Sequence, residues 1–288
     1  MKIAVLASGD LGYNATQFAN KTYGIECILT DKRSEKIIDF AKSNSIVFFL
    51  GNPRGGKAGR FIGENKIDVL LSVNYIYLIE QDLIDWPDKY AINLHGSLLP
   101  RYRGRTPHVW AIINNESVTG ITAHLIDTGC DSGPVIEQIK INIHEEQTGG
   151  DLLEIFNNEY PNLIASVLDQ VKKDSVNPIA QDHSQATYFG KRTPDDGKIQ
   201  WTWSKERIYN WVRAQSRPYP GAFSFYRENR IIIHKIKYSS HGFDYNDNNG
   251  LLINTDQNPI IKTPNGCVEI IDYIIEEDLE LTKGESLS

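Results

Sequence analysis

The sequence predicts an α/β protein: a Rossmann-like, mostly parallel sheet with helices on both faces, followed by a small, OB-like C-terminal β-barrel. Two observations carry the first half of that prediction and a third carries the second. Short, nearly continuous apolar runs rich in β-branched residues recur through residues 2–97, and polar stretches of helical spacing separate them. Strands that are apolar on both faces and alternate with helices belong to a buried parallel sheet. Beyond Gly221 only short strand-like runs broken by Gly, Asn and Asp remain, the texture of a small barrel or sandwich.

KIAVLAS (2–8), IECILTD (25–31), SIVFFLG (45–51), IDVLLSVNY (67–75) and YAINLHGS (90–97) are the first predicted strands, with SEKIIDFAKSN a helix between two of them. GITAHLIDTG and PVIEQIKINIH follow with too little chain between them for a crossover helix, so the sheet is expected to end antiparallel or mixed. A long amphipathic helix at 148–173 closes this half. ATYFGKRTPDDGKIQW then brings turn residues and isolated aromatics, and SKERIYNWVRAQ reads as a helix capped by Ser204. AFSFY, RIIIHKIKY, GLLINT and CVEIIDYIIE are the expected barrel strands. The domains are placed at 1–180 and 181–288, with no low-complexity linker and no internal repeat between them.

The chain has 288 residues, 40% hydrophobic and 10% aromatic, an ordinary globular composition with room for two domains. No apolar run is long enough to span a bilayer, and MKIAVLASGD reaches Asp10 after one short apolar stretch, which suits a first strand better than a signal peptide. A soluble, cytoplasmic protein without a membrane partner is expected. Cys27, Cys130 and Cys267 lie far apart without CxxC spacing, and His108, His124 and His144 are scattered, so neither a disulfide framework nor a metal site is expected. The net charge of −7 splits into 17 basic and 22 acidic residues before position 181 and 13 and 15 after it. Neither half is basic, which argues against a nucleic-acid partner. SGDLG lacks the full GxGxxG spacing of a dinucleotide site. The apolar CVEIIDYII run and β-edges in a small C-terminal domain point to a homodimer.

Open parallel sheets bind ligands beyond the carboxyl ends of their strands. The strand at 90–97 ends there, and residues two apart share a face, so Asn93 and His95 point to one crevice. The strand at 120–127 runs out into IDTGCDSGPVI, whose Asp127 and Asp131 put carboxylates in a loop able to lie beside His95, with Gly129 and Gly133 permitting a tight turn. A carboxylate fixes an imidazole's tautomer and favours its charged form; with an amide donor alongside, the trio can hold an oxyanion and move a proton. No serine or cysteine nucleophile is coupled to it, which suits direct attack by a substrate amine on a bound acyl group. The residues alone leave a second reading open, His95 as a structural imidazole satisfied by a backbone carbonyl.

NLHGSLLPRYRGRTP, TGITAHLIDTGCDSGPVI, FGKRTPDDGKIQW and WVRAQSRPYPGAF closely resemble the formyltransferases that use 10-formyltetrahydrofolate, from about residue 1 into the 220s. The resemblance implies that Asn93, His95 and Asp131 are catalytic and that the formyl donor is the co-substrate, with no metal. It places folate binding on Tyr77, Leu78, Ile79 and Arg105 and on the loop Asp127, Thr128, Gly129, Cys130 and Asp131, with the pterin's polar edge read largely by backbone groups.

Among the family's branches, the methionyl-tRNA enzymes carry a basic insertion after the second strand and a positive C-terminal barrel; here TDKRSEKIIDF passes straight into a helix and the second domain is slightly acidic. Glycinamide ribonucleotide transformylases are usually single-domain, and formyltetrahydrofolate hydrolases carry an N-terminal regulatory domain. The resemblance therefore favours a free-standing enzyme acting on a nucleotide-linked amino sugar, with tRNA formylation or formyltetrahydrofolate hydrolysis as alternatives. Expected substrate contacts are Ser8 and Gly9 in the SGDLG turn, Arg101 and Arg103 on phosphate, and Tyr75 near the hexose.

Overall fold

The computed structural model describes residues 1–275 and 279–288. Its first part runs β1 (Ile3–Ala7), α1 (Gly9–Tyr23), β2 (Cys27–Thr30), α2 (Glu35–Ser43), β3 (Val47–Leu50), α3 (Lys57–Ile62), β4 (Ile67–Val73), α4 (Gln81–Ile84) and β5 (Pro87–His95). Then come β6 (Arg103–Gly104), α5 (Pro107–Ile113), β7 (Val118–Leu125), β8 (Val135–Asn142), α6 (Gly149–Lys172), β9 (Tyr188–Phe189) and α7 (Lys205–Ala214). The last strands are β10 (Ala222–Tyr226), β11 (Asn229–Ser239), β12 (Leu252–Asn254), β13 (Ile260–Thr263) and β14 (Gly266–Ile275).

The expected parallel sheet is present, seven-stranded in the order β3-β2-β1-β4-β5-β7-β8. The first five of these strands pair in parallel, and β7 turns antiparallel against β5, so the sheet ends mixed as expected, although the connection that reverses it is the long one carrying β6 and α5 rather than the short one after β7. All five residues of β1 are fully buried, which is the physical content of apolar runs that do not alternate: both faces are covered at the sheet's centre, whereas the edge strand β3 leaves Val47 and Leu50 exposed. On one face, Ala4 and Leu6 join Ala58 and Ile62 of α3 and Leu83 of α4 in one apolar cluster.

The C-terminal sheet is antiparallel and five-stranded, in the order β10-β11-β14-β13-β12. β13 was not expected from the sequence, because IIKT is short and sits between turn residues. The chain's last residues fill the gap between the two outer strands. Ser288 exchanges both backbone hydrogen bonds with Phe225 beside β10, while Gly284, Glu285 and Leu287 bond Gly250 and Leu252 at β12. That closure gives the sheet its barrel character. Ser204 caps α7 by accepting from the Arg207 N–H. Glu276, the last residue of the expected CVEIIDYIIE strand, lies outside the described residues.

Compactness groups the chain into two units that are not continuous in sequence: 1–104, 119–141 and 155–189, and separately 105–118, 142–154 and 190–288. Residues 181–189, which the sequence reading assigned to the second domain, thus sit with the parallel sheet. Among the described residues no helix is long and apolar enough to cross a membrane.

Candidate active site

β5 delivers Asn93 and His95 at its carboxyl end, and the antiparallel register sets His124 of β7 directly opposite Asn93. Asp131 comes from the loop after β7, held at φ 51°, a left-handed conformation uncommon for a residue with a side chain. Gly133 makes the loop's return possible, since a Cβ there would sit 1.9 Å from the Leu125 carbonyl oxygen. The sequence-predicted trio therefore converges: His95 Nδ1 lies 3.5 Å from Asp131 Oδ1, and Asn93 Nδ2 lies 3.4 Å from the same oxygen.

The hydrogen-bond partners assign the protons. His95 Nε2 is 2.8 Å from the Tyr102 carbonyl oxygen, which can only accept, so Nε2 carries hydrogen. In the neutral ring Nδ1 is then bare and turned toward Asp131. His95 is 6% exposed, and burial, the largest influence on it, holds its pKa below the ordinary histidine value against the pull of the Asp131 charge. Asp131 stays ionised: burial alone would raise its carboxyl, but the charge His95 takes on when protonated and the Gly104 N–H, which donates to Oδ2 at 2.9 Å, push it well below the usual carboxylate range. An imidazole with one free lone pair beside a fixed carboxylate accepts a proton and then gains an ion pair. The backbone carbonyl expected of a structural imidazole is present at Tyr102, and satisfying Nε2 there leaves Nδ1 facing Asp131.

His124 was missed as a site residue. Its Nδ1 faces the Leu125 carbonyl at 2.8 Å and must donate there, so Nε2 accepts from Asn93 Nδ2 at 3.1 Å. This fixes which end of the Asn93 amide points where, and His124 also stands 3.6 Å from Asp131 Oδ1. The signal existed in the sequence: once the strand at 120–127 is taken as antiparallel to 90–97, alternation puts a histidine on the same face.

The remaining expected residues divide. The loop from Asp127 to Asp131 closes on the Asp127 carboxylate, which accepts from Gly129 N–H at 3.0 Å and from Ser132 Oγ at 2.8 Å, leaving Thr128, Gly129 and Cys130 exposed. Tyr77 and Ile79 pack half-buried against the sheet's apolar cluster, while Leu78 is 66% exposed. Arg105 is exposed and belongs to the second unit.

Several expected substrate contacts are corrected by their surroundings. Ser8 is buried, and the Gly9 N–H is already taken by Ser34 Oγ at 2.9 Å, which ties the SGDLG turn to the start of α2. Tyr75 is a core residue, edge-on to Tyr77 at 5.6 Å, with burial raising its phenol pKa. Arg103 is 1% exposed and spends its guanidinium on Gln181, Tyr188 and His183, which leaves no access for a phosphate. Arg101 is exposed, its guanidinium 5.5 Å from the Tyr102 ring centroid. Among the described residues no group of His, Cys, Asp and Glu is placed to hold a metal ion.

An open α/β sheet presents a convergent amide, imidazole and carboxylate beyond the carboxyl end of β5, groups able to hold an oxyanion and move a proton in acyl transfer. Comparison with known proteins agrees. Residues 1–168 match the formyl transferase family and residues 191–283 its C-terminal domain, and the chain belongs to that family. The bifunctional polymyxin resistance protein ArnA of Wigglesworthia glossinidia brevipalpis is 33% identical over 253 residues, covering 84% of this chain. The chain spans only 39% of that relative's length. Two solved structures share the fold at low identity. One is the sugar 3N-formyl transferase WlaRD with dTDP and 5-N-formyl-THF, at a TM-score of 0.72 and 20% identity over 97% of this chain and 99% of that one. The other is the N-formyltransferase from Helicobacter canadensis with folinic acid and dTDP-3-aminofucose, at 0.75 and 19% over 94% and 98%.

Proposed function

We propose that the protein transfers the formyl group of 10-formyltetrahydrofolate to the primary amine of a nucleotide-linked amino sugar, a dTDP-amino-dideoxyhexose such as dTDP-4-amino-4,6-dideoxyglucose. The product would serve O-antigen or lipopolysaccharide synthesis in the cytoplasm, and the enzyme would work as a homodimer. The observation that carries the reading is the convergence of Asn93, His95 and Asp131, with His95 Nε2 satisfied by the Tyr102 carbonyl and Nδ1 facing Asp131. The sugar branch is supported by the acidic balance of both halves of the chain, by ArnA among its relatives and by the dTDP ligands of its structural neighbours.

The neutral amine attacks the formyl carbon; the new C–N bond forms as the carbonyl electron pair moves onto oxygen. Asn93 Nδ2 donates to that oxyanion, exchanging its long 3.4 Å contact with Asp131 for a shorter one. The amine's proton passes to His95 Nδ1, whose imidazolium is stabilised by Asp131. Collapse breaks the bond to folate N10, which takes the proton from His95, and tetrahydrofolate leaves. Folate is held by the segment Tyr77 to Ile79, by Arg105 and by the exposed loop Asp127 to Asp131.

The test is tetrahydrofolate release from 10-formyltetrahydrofolate across a panel of amines. Release with a dTDP-amino sugar and formation of its N-formyl product is the expected result. Release without any amine would identify a hydrolase, and release only with methionyl-tRNA a tRNA enzyme; either overturns the sugar assignment.

A further inference from the structure

Among the described residues Arg103 has the largest fully buried side chain, yet its hydrogen-bond partners there carry no formal negative charge. Nη2 and Nε donate to Gln181 Oε1 at 2.6 and 3.2 Å, Nη1 donates to the Tyr188 hydroxyl at 2.6 Å, and His183 Nδ1 lies 3.1 Å from Nη2. Burying a guanidinium without an anion is costly, and stability alone is a poor reason to keep one. The consequence lies one residue further on. Gln181 accepts from Arg103 with its oxygen and donates with its nitrogen to two backbone carbonyls, Asp131 at 2.9 Å and Gly133 at 2.6 Å. These carbonyls bracket the left-handed turn that presents Asp131.

The same stretch of chain grips the other side of the trio. Thr187 takes the Arg103 N–H on its carbonyl and the Tyr102 N–H on its hydroxyl, and β9 pairs with β6. Phe189 stacks on Tyr102 at 4.8 Å, and its carbonyl oxygen would stand 2.2 Å from a Cβ at Gly104. Tyr102 supplies the carbonyl that orients His95, and Gly104 the N–H that holds Asp131. Residues 181–189 lie outside both stretches matched by the family.

We propose that residues 181–189 form a strap whose Gln181, locked by Arg103, is a positioning residue for the reaction, fixing the backbone that sets Asp131 against His95. The proposal rests on the formyl-transfer reading of the site, and neither residue touches a reacting group. A displacement of a positioned group by about 1 Å can cost about 100-fold in rate, so Gln181→Met should lower kcat about 10- to 100-fold with the KM for the amino sugar unchanged. Gln181→Glu keeps the acceptor for Arg103 but loses both donations, and should be equally impaired. Tyr188→Phe, a milder change that frees only Nη1, should lose less in the same sense.

The folded state of each variant is checked by its melting curve, and ring nitrogen NMR of the ligand-free protein gives a readout without substrate. In Gln181→Met the His95 signals should shift, and those of His124, 3.6 Å from the same Asp131 oxygen, should move with them. Native kcat in Gln181→Met, recovery in Gln181→Glu, or unmoved His95 signals in both Gln181→Met and Tyr188→Phe would overturn the strap. Wild-type protein that transfers no formyl group, while the His95 signals still respond to Gln181→Met, would overturn the functional reading and leave the strap standing.

Discussion

His95 donates through Nε2 to a backbone carbonyl, so its chemistry depends on a single lone pair at Nδ1. Its pKa lies below the ordinary 6.5 because the ring is buried. The sign follows directly: kcat/KM should be level at neutral pH and fall on the acid side, as His95 gains a proton, with a midpoint under 6.5. The check is a pH profile taken after the amine's own ionisation has been measured separately. The charge of Asp131 opposes the depression, so Asp131→Asn should move that acid limb to still lower pH while kcat drops. An upward move would contradict the assignment of Asp131 as the charged partner. Asn93→Ala removes an oxyanion donor and should raise the barrier by about 3 to 4 kcal/mol, read as kcat with folate binding intact.

At the scale of elements, the β5–β7 register explains why four polar side chains meet rather than three. His124 stands opposite Asn93 and fixes its amide, so His124→Leu should lower kcat about tenfold. Equal activity in that variant would show that the Asn93 amide needs no such guide. The loop after β7 exposes Cys130, whereas Cys27 and Cys267 are buried. A single thiol should therefore react quickly with iodoacetamide in the native protein, and 5-formyltetrahydrofolate should slow it if the loop covers folate. Mass spectrometry of the alkylated peptide decides both points. Gly133→Ala would drive a Cβ into the Leu125 carbonyl and displace Asp131, and a variant with native kcat would be inconsistent with that geometry.

For the whole molecule, the instructive feature is that the unit containing the barrel draws on three separate stretches of sequence. Within it, Asn115 accepts from Asn210, and the Arg213 guanidinium donates to the His144 and Gln147 carbonyls. Gly149 meets the Ala214 carbonyl so closely that a Cβ would lie 2.2 Å from it. A fragment ending at residue 190, where the family's two matched stretches suggest a cut, would strip these partners from 105–118 and 142–154. Such a fragment should melt well below the full chain, as followed by circular dichroism, despite containing the whole Asn93, His95 and Asp131 site.

What the sequence determined by itself was whatever is written locally. Continuous apolar runs specify the strands, a two-residue spacing puts Asn93 and His95 on one side, and Gly129 and Gly133 announce a tight loop. The short β13 lacked such a pattern and was invisible. Tertiary structure decided what depends on partners distant in the chain. The bare nitrogen of His95 follows from a carbonyl at Tyr102, the role of His124 from antiparallel register, and the burial of Arg103 from a strap some 80 residues away that its YRGR context gives no reason to expect. The phosphate role expected of Arg103 failed for that reason: charge is a property of the residue, but whether solvent or a ligand can reach it is a property of the fold.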